Sequence, residues 1–358
     1  MTSRLRVGVL FGGQSAEHDV SILSARNVLK AIDPAKYEIV PILIDRTGQW
    51  LLIEMTAGSL PADIAYAGTK VCLVPGGRGR LIAFDGAPGT MMHPPAIDIL
   101  FPVLHGLYGE DGSIQGLAQV CNIPLVGCGI LGSATAIDKE MAKRLLREAG
   151  LPVARSVTAR PNQRPDFENV TAALGQPVFV KPARQGSSVG VSKAKTAEEF
   201  DAALDEGFKF DTKVLIEEFV QAREIECAVL ERSDGSLMVS VPGEIATSAS
   251  HGFYTYEAKY LDEDGAAISI PAVLPDEVTQ RLQDMAGQAF IALGCEGLAR
   301  VDFFVRPDLS VVINEVNTMP GFTDISMYPK AMAASGVPYT ELVGLLIEHG
   351  LARATLAR

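Results

Sequence analysis

The chain has no apolar stretch long enough to cross a membrane: no window approaches the roughly 18 uncharged residues that a spanning helix needs, so membrane insertion is not expected. It also lacks a positive excess. Lys and Arg number 31 against 43 Asp and Glu, giving a net charge of −12 and a pI near 5.0. That balance repels a phosphate backbone and argues against nucleic acid as a partner. A small anionic substrate would therefore need a local basic cluster. Cysteine is sparse: Cys72, Cys121, Cys128, Cys227 and Cys295 are odd in number, scattered and without a C-x-x-C pair. Neither a disulfide framework nor a zinc cluster is indicated, and the five fit reduced thiols in a cytoplasmic protein. The start, MTSRLRVGVLFGG, passes from two arginines into a short apolar run without a long h-region or a small-residue cleavage site, so no secretory leader is expected. No internal repeat or low-complexity tract is present.

What is there suits a large globular protein. At 358 residues and 47% hydrophobic, the chain has room for two or three domains. Arg4 to Leu10 reads as a strand, Phe11-Gly12-Gly13 as a turn and Ser15 to Ile32 as a helix; further strands at 38–44, 97–104 and 123–126 make an open α/β layer over 1–131. The glycine turn lacks G-x-G-x-x-G, which counts against a dinucleotide-dependent dehydrogenase. The residues 66–95, rich in Gly and Pro, read as loops and an irregular hairpin. A helix is expected from Ser133, as N-cap, to Ala149, closed by Gly150 and Pro152. It opens a second unit, 132–219, with strands at 178–180 and 213–219 and a helix at 197–206. A third unit, 220–358, carries strands at 224–230, 237–241, 298–305 and 311–316.

The third unit holds the most telling stretch, LARVDFFVRPDLSVVINEVNTMPG at 298–321. Alternate side chains of a strand share a face, so Glu315 and Asn317 stand together, and a turn near Pro307 and Asp308 brings Asp302 beside them. Two carboxylates and an amide suit a hard cation, and carboxylates inside apolar strands are costly to bury uncompensated. Carboxylates that simply face water are the alternative. Arg300, two residues before Asp302, either offers a fixed cation to an oxyanion or pairs with Asp302 or Glu315.

Elsewhere, the loop 184–190 is rich in glycine, serine and backbone donors, as wrapping phosphate oxygens requires, though no Gly-Lys-Ser/Thr closes it. Lys181 precedes it. Glu217, Glu218 and Glu224 flank a unit boundary, where adenine and ribose could be accepted or where charges simply meet solvent. Glu17 lies in the first turn of the first helix, as a cap or as a partner for an ammonium. His105 follows an apolar strand at its C-terminal end. The aromatic and charged segment 250–264 reads as a lid.

Eight segments carry a resemblance: GGQSAEHDVS at 12–21, LHGLYGEDGSIQG at 104–116, GSATAIDK at 132–139, VKPARQGSSVGVSK at 180–193, LIEEF at 215–219, YEAKY at 256–260, RVDFF at 300–304 and NEVNTMPGFT at 314–323. In this order they closely resemble the D-alanine–D-alanine ligases of the ATP-grasp superfamily. The resemblance implies an ATP-grasp fold preceded by an open parallel, Rossmann-like α/β domain. It also implies ATP-dependent joining of two D-alanines through an acyl phosphate, for peptidoglycan. ATP would be held by Lys139, Lys181, Ser187, Ser188, Glu217, Glu218, Val220, Glu224, Lys259, Asn314 and Glu315. Two Mg²⁺, replaceable by Mn²⁺, would sit on Asp302, Glu315 and Asn317. Glu17, Ser187, Tyr260, Arg300 and the backbone at Gly321 would carry catalysis, with His105, Ser326 and Met327 at the amino-acid sites. A homodimer is implied. Ligases of the same family that make D-alanyl-D-lactate or D-alanyl-D-serine are the nearest alternative, and a non-catalytic binding module on this fold is a more distant one.

Overall fold

A computed structural model describes residues 4–56, 58–62, 64, 66, 68–84, 94–247 and 266–356. Its three sheets follow one another along the chain. The first is built on β1 (Leu5–Gly12), whose Val7, Val9, Leu10 and Phe11 are fully enclosed. A strand apolar on both faces needs cover on both faces, which parallel neighbours with helical crossovers supply. Accordingly β1 pairs in parallel with β2 (Tyr37–Ile44) and β6 (Ile99–Leu104), with the helix His18–Ala31 between β1 and β2. The sheet then extends through β3 (Trp50–Leu52), β4 (Thr69–Leu73) and β5 (Leu81–Ala83), all antiparallel, in the order β5-β4-β3-β2-β1-β6. The connection after β2 is too short for a crossover. Asp45 closes it by accepting from the backbone of Thr47 and Gln49 while Gly48 takes φ +91°. The three parallel strands end together at Gly12, Ile44 and Leu104, and β1, flanked by β2 and β6, marks a topological switch point.

Ser21 ties this edge together: its Oγ accepts from Gly12 N at 2.7 Å and donates to the Val103 carbonyl, fully buried. Ser21→Ala is expected to lower stability by about 1–3 kcal/mol, since it strands a buried donor and a buried acceptor together. A shift in urea midpoint checks this.

The helix expected from Ser133 to Ala149 is two helices, Ile130–Ile137 and Lys139–Glu148. Ser133 is buried inside the first, and the break falls at Asp138, which takes an extended conformation and accepts from Met141 N through its side chain. A 3.6-residue period runs unchanged across such a break, so it does not announce itself. The second sheet follows, with β7 (Ser156–Ala159), β8 (Val178–Pro182), β9 (Ser192–Ala194) and β10 (Val214–Glu218) in the antiparallel order β7-β10-β8-β9. Val178, Val180, Val214 and Ile216 turn to a core shared with the helices Phe167–Leu174 and Ala197–Gly207. Alternation sends Phe179, Lys181 and Glu217 to the other face.

The third sheet comprises β11 (Arg223–Glu231), β12 (Leu237–Val239), β13 (Gly243–Thr247), β14 (Ala266–Ser269), β15 (Leu298–Val305) and β16 (Val311–Asn317), ordered β14-β13-β11-β15-β16 with β12 on β11. The helix Asp276–Ala292 packs Val278, Leu282, Ala286 and Phe290 against β11, β15 and β16. The last helices, Met327–Ala334 and Tyr339–Leu356, return to the first sheet: Tyr328, Leu342, Leu346 and Ile347 share a core with Val7, Val9, Val28 and Phe101. Among the described residues no helix is long and apolar enough to cross a membrane.

Candidate active site

β15 and β16 form the expected hairpin, turning through 306–310 with Asp308 accepting from Ser310 N. In register, Asp302 stands opposite Glu315 and Arg300 opposite Asn317, so all four share one face. Glu226, on the other side of β15, also stands opposite Asp302. After Asp302 the register shifts, Phe303 pairing with Ile313, so Asn314 is an extra residue in the ladder. A bulge of this kind re-aims a side chain. It is why the consecutive Asn314 and Glu315 both line one cavity.

Arg300 is clamped. Its Nε and Nη2 each lie 2.7 Å from an oxygen of Asp302, and Nε lies 3.0 Å from Glu226 Oε2. The pairing with Asp302, weighed above as the alternative to an oxyanion role, is present, together with a second carboxylate, Glu226. Asn317 Oδ1 accepts from Met319 N at 2.9 Å, which fixes the amide and leaves its oxygen a second lone pair.

The cavity, of about 320 Å³, lies between the second and third sheets. Lys139, Lys181, Ser187, Ser188, Glu217, Glu218, Val220, Glu224, Asn314 and Glu315 all reach it, so the structure brings the predicted nucleotide residues together, apart from Lys259. Lys139 Nζ lies 3.3 Å from Glu315 Oε2 and 2.8 Å from the Gln185 carbonyl. Lys181 Nζ lies 2.5 Å from Glu217 Oε2, and Lys143, absent from the sequence reading, lies 2.8 Å from the other oxygen. Burial opposes the charge on Lys181, yet Glu217 and Glu315 outweigh it and raise its pKa. Burial likewise opposes the Glu217 carboxylate, and Lys181 with Lys143 holds it below the ordinary range. Glu218 is bound by Arg155, at 2.8 Å from N and 2.7 Å from Nε. The carboxylates expected to accept adenine and ribose also hold cations, because charges removed from water need partners, and both still line the cavity.

The phosphate-loop candidate is strained where it matters: Ser187 and Ser188 both take left-handed backbone, φ 48° and 59°. Ser187 Oγ donates to Glu17, joining the loop to the first helix. Glu17 occupies the N-cap position without capping through its side chain, so its carboxylate is turned to Ser187 instead.

His105 is buried, with Nδ1 3.0 Å from the Met319 carbonyl, Nε2 3.4 Å from Ser24 Oγ and Glu110 3.9 Å away. A carbonyl only accepts, so Nδ1 carries a hydrogen. Burial works against the imidazolium, while Glu110 and Glu17 outweigh it and raise the pKa. His105 thereby pins the TMPG loop to the first sheet. Within that loop a Cβ on Gly321 would lie 2.7 Å from Ser326 Oγ, which itself accepts from Thr323 N at 3.0 Å. The Met327 side chain is buried against Gly243, so what it can offer a ligand is its first-turn backbone N–H. The lid segment, with Lys259 and Tyr260, lies outside the described residues.

Among the described residues no three His, Cys, Asp or Glu side chains converge as a metal-holding group. Asp302 and Glu315 with the Asn317 amide make a smaller donor set, open to oxygens from elsewhere.

The family model described as D-ala D-ala ligase N-terminus matches residues 6–128, and that described as D-ala D-ala ligase C-terminus matches 145–348. The chain is 56% identical over 356 residues to the D-alanine–D-alanine ligase A of Mesorhizobium japonicum, covering 99% of each. Among solved structures, the D-alanine-D-alanine ligase from Coxiella burnetii superposes with a TM-score of 0.84 at 35% identity, over 99% of this chain and 96% of that one. The VanG D-Ala:D-Ser ligase from Enterococcus faecalis superposes with a TM-score of 0.83 at 34% identity, over 97% of this chain and 100% of that one.

Proposed function

The chain belongs to the D-alanine–D-alanine ligase family, and from that premise we propose that its cleft joins two D-alanines into D-alanyl-D-alanine, converting ATP to ADP and phosphate, for peptidoglycan. The observation that carries this is the convergence of Lys139, Lys181 and the Ser187-Ser188 loop on the cavity that Glu315 and Asn314 enter from the other sheet. The first D-alanine's carboxylate attacks the γ-phosphorus of ATP and ADP leaves; the second D-alanine's amine attacks the acyl phosphate carbonyl and phosphate leaves. Catalysis is positioning plus charge neutralisation.

Lys139 and Lys181 hold phosphate oxygens, and the strained turn at Ser187 and Ser188 presents backbone donors to them. Glu17, held by Ser187, takes the first ammonium, with Tyr260 delivered by the lid. Arg300 and the backbone at Gly321 stabilise the oxyanion. His105 bounds the first amino-acid site. Ser326 and the Met327 N–H take the second carboxylate. Asp302, Glu315 and Asn317 fit two Mg²⁺, or Mn²⁺, whose remaining positions phosphate oxygens and water would fill. When bound, the ions neutralise charge on the transferring phosphoryl group.

The functional units are 1–131, 132–219 and 220–358, each with one sheet; the gap between the two family matches supports the first boundary. The cysteines are all free, which supports a cytoplasmic setting. The assembly is a homodimer. The likeness to VanG keeps D-alanyl-D-serine, and with it D-alanyl-D-lactate, as the second reading. ATP-dependent phosphate release is expected with D-alanine alone. Release only when D-serine or D-lactate is added would move the assignment to the second reading, and none with any of them would remove it.

A further inference from the structure

Lys143 is the least expected charge in the molecule. It sits one helical turn after Lys139 on Lys139–Glu148 and is 1% exposed. Its Nζ reaches Glu217 Oε1 at 2.8 Å and the Ala154 carbonyl at 3.3 Å. Glu217, itself buried, holds Lys181 through its other oxygen. Lys181 and Glu217 share one face because their strands are antiparallel neighbours with Lys181 opposite Leu215 and Phe179 opposite Glu217. Three charges thus lie in a row running from beneath the helix to the cavity wall.

We propose that Lys143 is a positioning residue for the nucleotide: it neutralises Glu217 from behind, so that Lys181 presents a whole positive charge to the polyphosphate. Two lysines on one carboxylate leave one net positive charge. Without Lys143 the same carboxylate cancels Lys181, and the row presents none. Binding a triphosphate to a cancelled lysine requires breaking its ion pair, which strands a buried carboxylate. With Lys143 in place Lys181 can turn to phosphate while Glu217 stays compensated. Burial opposes the charge on Lys143 and lowers its pKa, while Glu217 acts the other way.

The inference rests on the nucleotide reading of the cavity, and the test separates the two. ADP affinity is measured by calorimetry for K143M, K143Q, K143M/E217Q and K181M, with thermal melts alongside. K143M and K143Q are expected to weaken ADP on the order of tenfold, the scale of one lost charge near a partly buried site. They should raise the KM for ATP while leaving that for D-alanine nearly unchanged. K143M/E217Q removes the cancelling carboxylate as well and is expected to recover to within about threefold of the parent. Equal melting temperatures across these variants, together with a KM effect confined to ATP, are what a merely structural role would not produce. If K181M weakens ADP and both Lys143 variants do not, or if K143M/E217Q is no better than K143M, the inference falls and the cleft reading stands. If K181M also binds ADP as the parent does, the cleft reading falls.

Discussion

Arg300→Ala is expected to lower kcat/KM by about a hundred- to a thousandfold, the scale of losing an oxyanion donor in an enclosed site. The guanidinium lies against Asp302 with two bonds of 2.7 Å and against Glu226 at 3.0 Å. It therefore does two things at once. It fixes the direction in which Asp302 presents its oxygens, and it keeps two cross-strand carboxylates from meeting without a cation between them. Alanine removes both, so stability is expected to fall as well, by about 3–5 kcal/mol, as when one partner of a buried ion pair is deleted. Arg300→Lys separates the effects: the ammonium restores much of the stability but not the two-pronged hold on Asp302, so turnover stays low. Urea unfolding reads the first quantity and ADP formation with D-alanine the second. A folded Arg300→Ala variant within tenfold of the parent would remove Arg300 from the reaction.

How much of this was legible beforehand depends on which period was being read. The face carrying Asp302, Glu315 and Asn317 follows from the two-residue period of a strand, and the register bears out their side-by-side placement. Glu226 obeys the same period two residues after Glu224, but a lone carboxylate in an apolar strand does not say what lies across from it. Asn314 defies the period because a bulge is written in the register, not in composition. The break at Asp138 was hidden by a helical pattern continuous through it, although an aspartate ahead of Lys-Glu-Met is a cap signal in plain view. Charge partners were the least visible of all. Nothing in the sequence announces that Glu217 pairs with Lys143 and Lys181, or Glu218 with Arg155, because these partners are distant along the chain. In the antiparallel half of the first sheet, β4 and β5 pair within the stretch 66–95 expected to hold an irregular hairpin, whereas β3, three residues long, leaves little pattern to read.

The charge arithmetic that explains Glu217 makes the opposite demand of Glu315. Lys139 lies 3.3 Å from it, and Lys181 feels its charge at longer range. Before a divalent cation arrives, Glu315 thus offsets positive charge that a polyphosphate would otherwise use. Once a cation sits on the carboxylates, the same charge becomes what holds it. Glu315→Gln is therefore expected to act with opposite signs under two conditions. In EDTA, ADP should bind about three- to tenfold more tightly, because a repulsive charge is gone and Lys139 is released to phosphate. With Mg²⁺ supplied, turnover should fall by at least about a hundredfold and the metal concentration for half-maximal rate should rise, since one of the two carboxylates of the donor set has become an amide. Calorimetry in EDTA and phosphate release across a Mg²⁺ titration give the two readings. A variant that binds ADP more weakly in EDTA yet turns over normally would mean that Glu315 serves the hairpin and not the cation. A loss under both conditions would instead place Glu315 against the nucleotide itself, with the metal held elsewhere.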